Sequence, residues 1–165
     1  MSATKDFKHT LDCFHEYLFG VTKLHQEEVS KLKDELALIQ GDNIEGLNTN
    51  LNLQQSFLYQ IKNFDKEVAG YMNQLNLSGR NLSEVILQLP QEEQMRFYKL
   101  LSEFEVTIKE VQFYKEKCQS LLQTKLYVVN KKISSFELKK DKTIYGKDGK
   151  EAETSAFPKT FEKNI

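Results

Sequence analysis

PQEEQMRFYKLLSEFEVTIKEVQFYKEKCQSLLQTKLYVVNKKISSF, residues 90–136, decides the fold. Pro90 suits a first helical turn, where its missing N–H would have no partner in any case. Gln91, Glu92 and Glu93 then put acid at the positive end of the helix dipole, and Lys131 and Lys132 put cations near the negative end. No Pro or Gly interrupts the stretch, which predicts one helix over 90–137, roughly 70 Å long at 1.5 Å per residue. Phe97, Leu101, Phe104, Ile108, Val111, Cys118, Leu122, Val129 and Phe136 fall at steps of three, four and seven, the seam of a coiled coil or long bundle. Lys115, Lys125 and Lys132 stand at or beside that seam. A second stripe, Val106, Phe113 and Tyr127, keeps a spacing of seven with Ser120 in the gap, and points roughly 140–180° away. Such a stripe meets either a further helix of the same chain or a partner.

The remainder frames this rod. The chain has 165 residues, 39% of them hydrophobic, a mean hydropathy of −0.55 and a net charge of −1. That balance fits one soluble domain and leaves no surplus cations for nucleic acid. No run approaches the ~20 apolar residues of a membrane span. The opening MSATKDFKHTLDCF lacks the apolar core of a secretion signal, so the expected location is the cytoplasm. Cys13 and Cys118 each sit among apolar helical neighbours, as buried thiols do in a reducing compartment. Strand-like alternation is nearly absent. The expected fold is all-α: an elongated antiparallel bundle or coiled coil of three long helices, with a short connecting helix and an irregular C-terminal tail.

Taken from the N-terminus, Phe7, Leu11, Phe14, Leu18 and Val21 begin a helix over 4–40 that Leu32, Leu36 and Ile39 resume after a polar middle. Gly20 inside it suggests close packing. Gly41 is placed to take a left-handed conformation and close that helix, with Asp42 and Glu45 opening the next as a capping box. So short a turn returns the chain antiparallel. The second helix is expected over 43–75, with Leu47, Leu51, Leu58, Ile61, Phe64, Val68, Tyr71 and Leu75 inward and Phe57 widening that face. After the turn-rich NLSGRN, Ser83 can cap a short helix over 83–88, whose Val85, Ile86, Leu87 and Leu89 would plug one end of the bundle. These helices make a bundle over 1–137. Residues 138–165 form a charged tail with Gly146, Gly149 and Pro158, where Tyr145, Phe157 and Phe161 are anchors able to dock.

Catalytic and metal chemistry find little footing. His9 and Cys13 lie four apart, with Asp12 and Glu16 nearby, but no second Cys or His cluster completes a structural metal site, so none is expected. No nucleophile elbow, phosphate loop or C-x-x-C occurs. Glu27, Glu28, Asp34 and Glu35 have Lys23, Lys31 and Lys33 close by and read as a solvated face. An enzyme is not expected, and neither is a cofactor. What the rod offers is surface: its end, with Leu126, Tyr127, Val128, Val129, Ile133 and Phe136, is long enough to outrun its neighbours and leave a ledge for another helix.

The order of these parts, a helical hairpin with a GD turn, an LP plug, and a rod holding LLQTKLYVVNKKISSF, resembles the FlgN-like family of flagellar type III export chaperones. Their last helix has a pattern like L-L-x-x-x-L-x-Y-V-N, met here by Leu121, Leu122, Leu126, Val129 and Asn130, with Tyr127 one place early. A Y-G-x-x-G element is met by Tyr145, Gly146 and Gly149, and the ends of a closing F-x-x-K-hydrophobic by Phe161 and Ile165. The resemblance implies a cytoplasmic chaperone that binds C-terminal helical segments of hook–filament junction proteins, prevents their premature assembly and delivers them to the flagellar export gate. Taken with the ledge read from the residues, the expected client-binding residues are Leu121, Leu122, Leu126, Val129, Ile133 and Phe136, and the separately spaced stripe of Val106, Phe113 and Tyr127 is a second candidate partner face. The alternative is a structural coiled-coil adaptor that self-associates without a delivery role.

Overall fold

The computed structural model describes the backbone of residues 2–144 and the side-chain surroundings of residues 5–140. Every regular element in that range is a helix: α1 (Ser2–Gln40), α2 (Ile44–Ile61), α3 (Phe64–Gln74), α4 (Leu82–Ile86) and α5 (Gln91–Ile144). The chain divides into two compact units, Met1–Lys125 and Leu126–Ile165.

In the first unit α1 is the spine. Buried along it are Leu11, Phe14, Leu18, Val21, His25, Glu28, Leu32, Glu35 and Ile39, an unbroken alternation of threes and fours, with Thr22 and Val29 buried beside that line. The α2–α3 arm returns antiparallel to it: Tyr71 stacks on Phe14 at 5.2 Å between ring centroids, and Phe57 meets His25 edge-on at 5.1 Å. The N-terminal part of α5 runs parallel to α1. Lys8 pairs with Glu93, Asp12 with Arg96 at 2.6 Å, Cys118 donates to the Leu32 carbonyl at 3.5 Å, and Lys125 reaches Asp42 at 2.5 Å. The broad core joins Leu11, Phe14 and Leu18 to Leu75, Ile86, Leu89, Phe97 and Leu100, and α4 plugs it. An apolar void of about 20 Å³ lies against Phe14, Phe64, Val85 and Phe104. A thinner core of Val29, Leu32 and Val111 follows, and Thr22, His25 and Glu28 are buried between the two.

Several local expectations are corrected. Gly41 is not left-handed; Asp42 is, at φ 55°. Asp42 N–H bonds the Ile39 carbonyl and Asn43 N–H the Leu38 carbonyl, a Schellman closure with an aspartate where glycine is usual. Short Asx side chains tolerate this region. Asn43, not Asp42, caps α2, by accepting from Gly46 N–H. Gly46 packs closely there: a Cβ would stand 2.7 Å from Leu38 Cδ2, so that side-chain end would have to move. Gly20, by contrast, is exposed and has nothing close to it.

The expected helix over 43–75 is two helices, broken at Lys62–Asn63. Asn63 is a poor interior helix former, and Asp65 and Glu67 give α3 its own acidic first turn. Asn81 rather than Ser83 caps α4: it accepts from Glu84 N–H at 2.9 Å, while Glu84 accepts from Arg80 N–H at 2.7 Å. Leu87, expected in the plug, is exposed. In the second unit helix persists to Ile144, into the stretch expected to be tail, because no breaker stands before Gly146. The tail anchors Tyr145, Phe157 and Phe161 lie outside the described residues.

Candidate functional site

Helix α5 carries most of the predicted site, and its exposure changes at a definite residue. Within the first unit, seam residues Phe97, Val111 and Cys118 are buried, and Leu121 and Leu122 are half-buried. Lys125 meets both the Gln40 carbonyl, at 3.2 Å, and the Asp42 carboxylate, where α1 ends. Within the second unit every apolar side chain from Leu126 to Leu138 is exposed. Leu126 is 61% exposed, Val129 and Ile133 51%, and Phe136 70%. These four keep the spacing three, four, three of a packing seam. A helical stripe of that kind normally lies against another helix. Among the described residues, no side chain covers it.

The second predicted stripe is also exposed. Val106 and Phe113 belong to the first unit, where Phe113 meets Tyr114 edge-on at 5.2 Å and the Lys117 ammonium at 5.3 Å. Tyr127 belongs to the second, with Lys131 at 5.2 Å from its ring centre. The plainer expectation, that this stripe meets another helix of the same chain, does not hold among the described residues. The helices of the first unit already satisfy one another on the opposite face of α5.

A third apolar surface escaped the sequence reading. Ile44, Leu51 and Leu58 of α2, spaced by seven, are exposed, although Leu51 and Leu58 were expected inside. The inward face of α2 instead carries Asn50, Gln54 and Phe57. Asn50 donates to the Lys31 carbonyl at 3.0 Å and Gln54 to the Glu35 carboxylate at 2.5 Å. Polar side chains thus occupy the contact with α1, and the leucines are left to face outward. The available signal was that α2 has one charged residue, Glu45, in eighteen.

The acidic face expected on α1 is also corrected. Glu27 and Asp34 are exposed, but Glu28 is only 1% exposed and Glu35 is buried, because α1 is packed from two sides. Burial raises the Glu28 carboxyl above the ordinary carboxylate range, and Glu35 adds to this while Lys31 and Lys115 oppose it. Its Oε2 has no hydrogen-bond partner. Glu93 moves the other way: the Lys8 hydrogen bond, helped by Arg96, holds it low against burial. His25 bonds the Val21 carbonyl at 2.8 Å and stands edge-on between Phe57 and Phe104, a satisfied core histidine. His9 Nε2 lies 3.9 Å from Cys13 Sγ, and among the described residues no three metal-binding side chains converge. Nor is any described helix long and apolar enough to cross a membrane.

The chemistry of the exposed surfaces is therefore that of helix packing. No curated protein and no solved structure matches the chain. A family model described as FlgN protein matches residues 13–153, which takes in all of α2 to α5 and most of α1. On that match the chain belongs to the FlgN family, whose members are flagellar chaperones.

Proposed function

We propose that this protein is a cytoplasmic export chaperone that binds the C-terminal helical segments of hook–filament junction proteins, keeps them from assembling and passes them to the type III export gate. The carrying observation is the exposed seam Leu126, Val129, Ile133 and Phe136. Membership of the FlgN family supports a flagellar protein as the client. Leu121 and Leu122, half-buried in the first unit, are its expected neighbours along α5. A disordered client end that folds as an amphipathic helix on such a seam loses conformational entropy on docking, which keeps the complex releasable.

The test is a titration of the full chain with synthetic peptides from the C-terminal ends of junction proteins of the same source. Saturable binding is expected, and Val129→Asp should abolish it while helix content stays unchanged, since an exposed substitution of this kind shifts stability by only about 0.5 kcal/mol. Binding that survives Val129→Asp would refute the assignment. A self-associating adaptor is the second reading, favoured by the exposure of Val106, Phe113 and Tyr127. It requires a stable oligomer in sedimentation without any client.

A further inference from the structure

One border of the exposed seam carries charge of a single sign. Residues 126–140 carry Lys131, Lys132, Lys139 and Lys140 against Glu137 alone. Residues 1–125 carry 14 basic and 18 acidic side chains, so the chain's positive charge is gathered on this stretch although its net charge is −1. The lysines are also ordered. Lys125, Lys132 and Lys139 are spaced by seven, and on an ideal helix they fall along one side of the seam, roughly 60–100° from its centre. In a helix pair that is where charges select the partner.

The first member of the row shows how it is used. Lys125, in the first unit, holds the Asp42 carboxylate at 2.5 Å. A cation beside the α5 seam there takes an acid from the element packed against it. Lys132 and Lys139 repeat the position one and two heptads on, beside apolar residues that are exposed.

We propose that Leu126–Phe136 accepts an amphipathic helix whose apolar stripe is bordered by acidic residues at heptad spacing, which meet Lys132 and Lys139. The inference rests on the client-binding reading of this stretch and adds the charge of the segment it selects. Like-charged helices are rejected by the same row, so the lysines discriminate between partners as well as attract.

The experiment uses three designed helical peptides sharing one leucine stripe and differing only in border residues: Glu, Gln or Lys. Each is titrated by fluorescence anisotropy against the full chain and against Lys132→Glu/Lys139→Glu, in low and high salt. The expected order is Glu over Gln over Lys, with a span on the order of tenfold that narrows in high salt and reverses in the double variant. Equal affinities, no binding by any of the three, or an order unchanged in the variant would overturn the inference. Junction-protein peptides are run alongside. Their failure while the Glu-bordered peptide binds removes the proposed client and leaves the charge inference standing. Their binding without salt dependence, or unaffected by the double variant, overturns the charge inference and leaves the chaperone reading in place.

Discussion

Replacing Glu28 by leucine should stabilise this protein, an unusual result for a core substitution. Glu28 is at a seam position of α1, 1% exposed, with Oε2 unpartnered. An ionised carboxylate held there lacks the hydrogen bonds that would offset its lost hydration. Leaving such a group unsatisfied costs about 1–3 kcal/mol, and exchanging buried charge for a well-packed apolar side chain commonly returns that much. Glu28→Leu should therefore gain about 1–3 kcal/mol at pH 7, which for a urea slope of about 2 kcal/mol/M moves the midpoint up by roughly 0.5–1.5 M.

The pH dependence fixes the cause. The folded carboxyl is raised above its unfolded value, chiefly by burial, so the folded state binds the proton more tightly. Its contribution is fully present below the unfolded pKa of about 4.3 and is lost as pH rises through the folded one. The advantage of Glu28→Leu should thus be greatest at neutral pH and shrink as pH falls toward 5. Urea melts followed by circular dichroism at pH 5, 6 and 7 measure this directly. A variant destabilised by more than about 1 kcal/mol, or a difference constant with pH, would mean that Glu28 is satisfied in the folded protein and the reasoning is wrong.

Two further outcomes test the packing. Phe14, 1% exposed and in ring contact with Tyr71 and Phe97, is the keystone of the broad core, so Phe14→Ala should cost about 3–5 kcal/mol in the same melts. A loss under 1 kcal/mol would deny that core its role. Cys118 is buried, and its thiol is pushed up to about 11 by burial first and Glu35 second, whereas Cys13 is half-buried. Iodoacetamide should modify Cys13 first in the folded chain, as read by mass spectrometry of the two peptides. Equal rates would place Cys118 in contact with solvent.

Much of this architecture was legible in the sequence because it rests on period and punctuation. The α5 seam, the GD turn and the apolar plug are local signals, and each corresponds to a feature of the structure. What was not legible turned on polar residues doing the packing. Counting apolar positions breaks the α1 seam at His25 and Glu28, whereas counting threes and fours onward from Leu11 runs straight through them to Ile39. On α2 the leucines suggested the inward face, yet Asn50 and Gln54 hold it by hydrogen bonds to α1. The break at Lys62–Asn63 lay inside an intact apolar period and offered only an asparagine as warning. As to the candidate site, the sequence supplied the seam through Phe136 and the expectation that Leu126 onward is an open ledge, but not that Leu121 and Leu122 are half-buried within the first unit.

The most direct test of the central claim is backbone hydrogen exchange of the full chain, with and without a saturating junction-protein C-terminal peptide. Helix in 126–140 has no side-chain cover among the described residues, so its amides should exchange faster than those of 97–118 in the free protein. Added peptide should slow exchange in 126–136 and leave α2 unchanged. Protection appearing on α2 instead, or nowhere while the peptide is bound, would contradict the account.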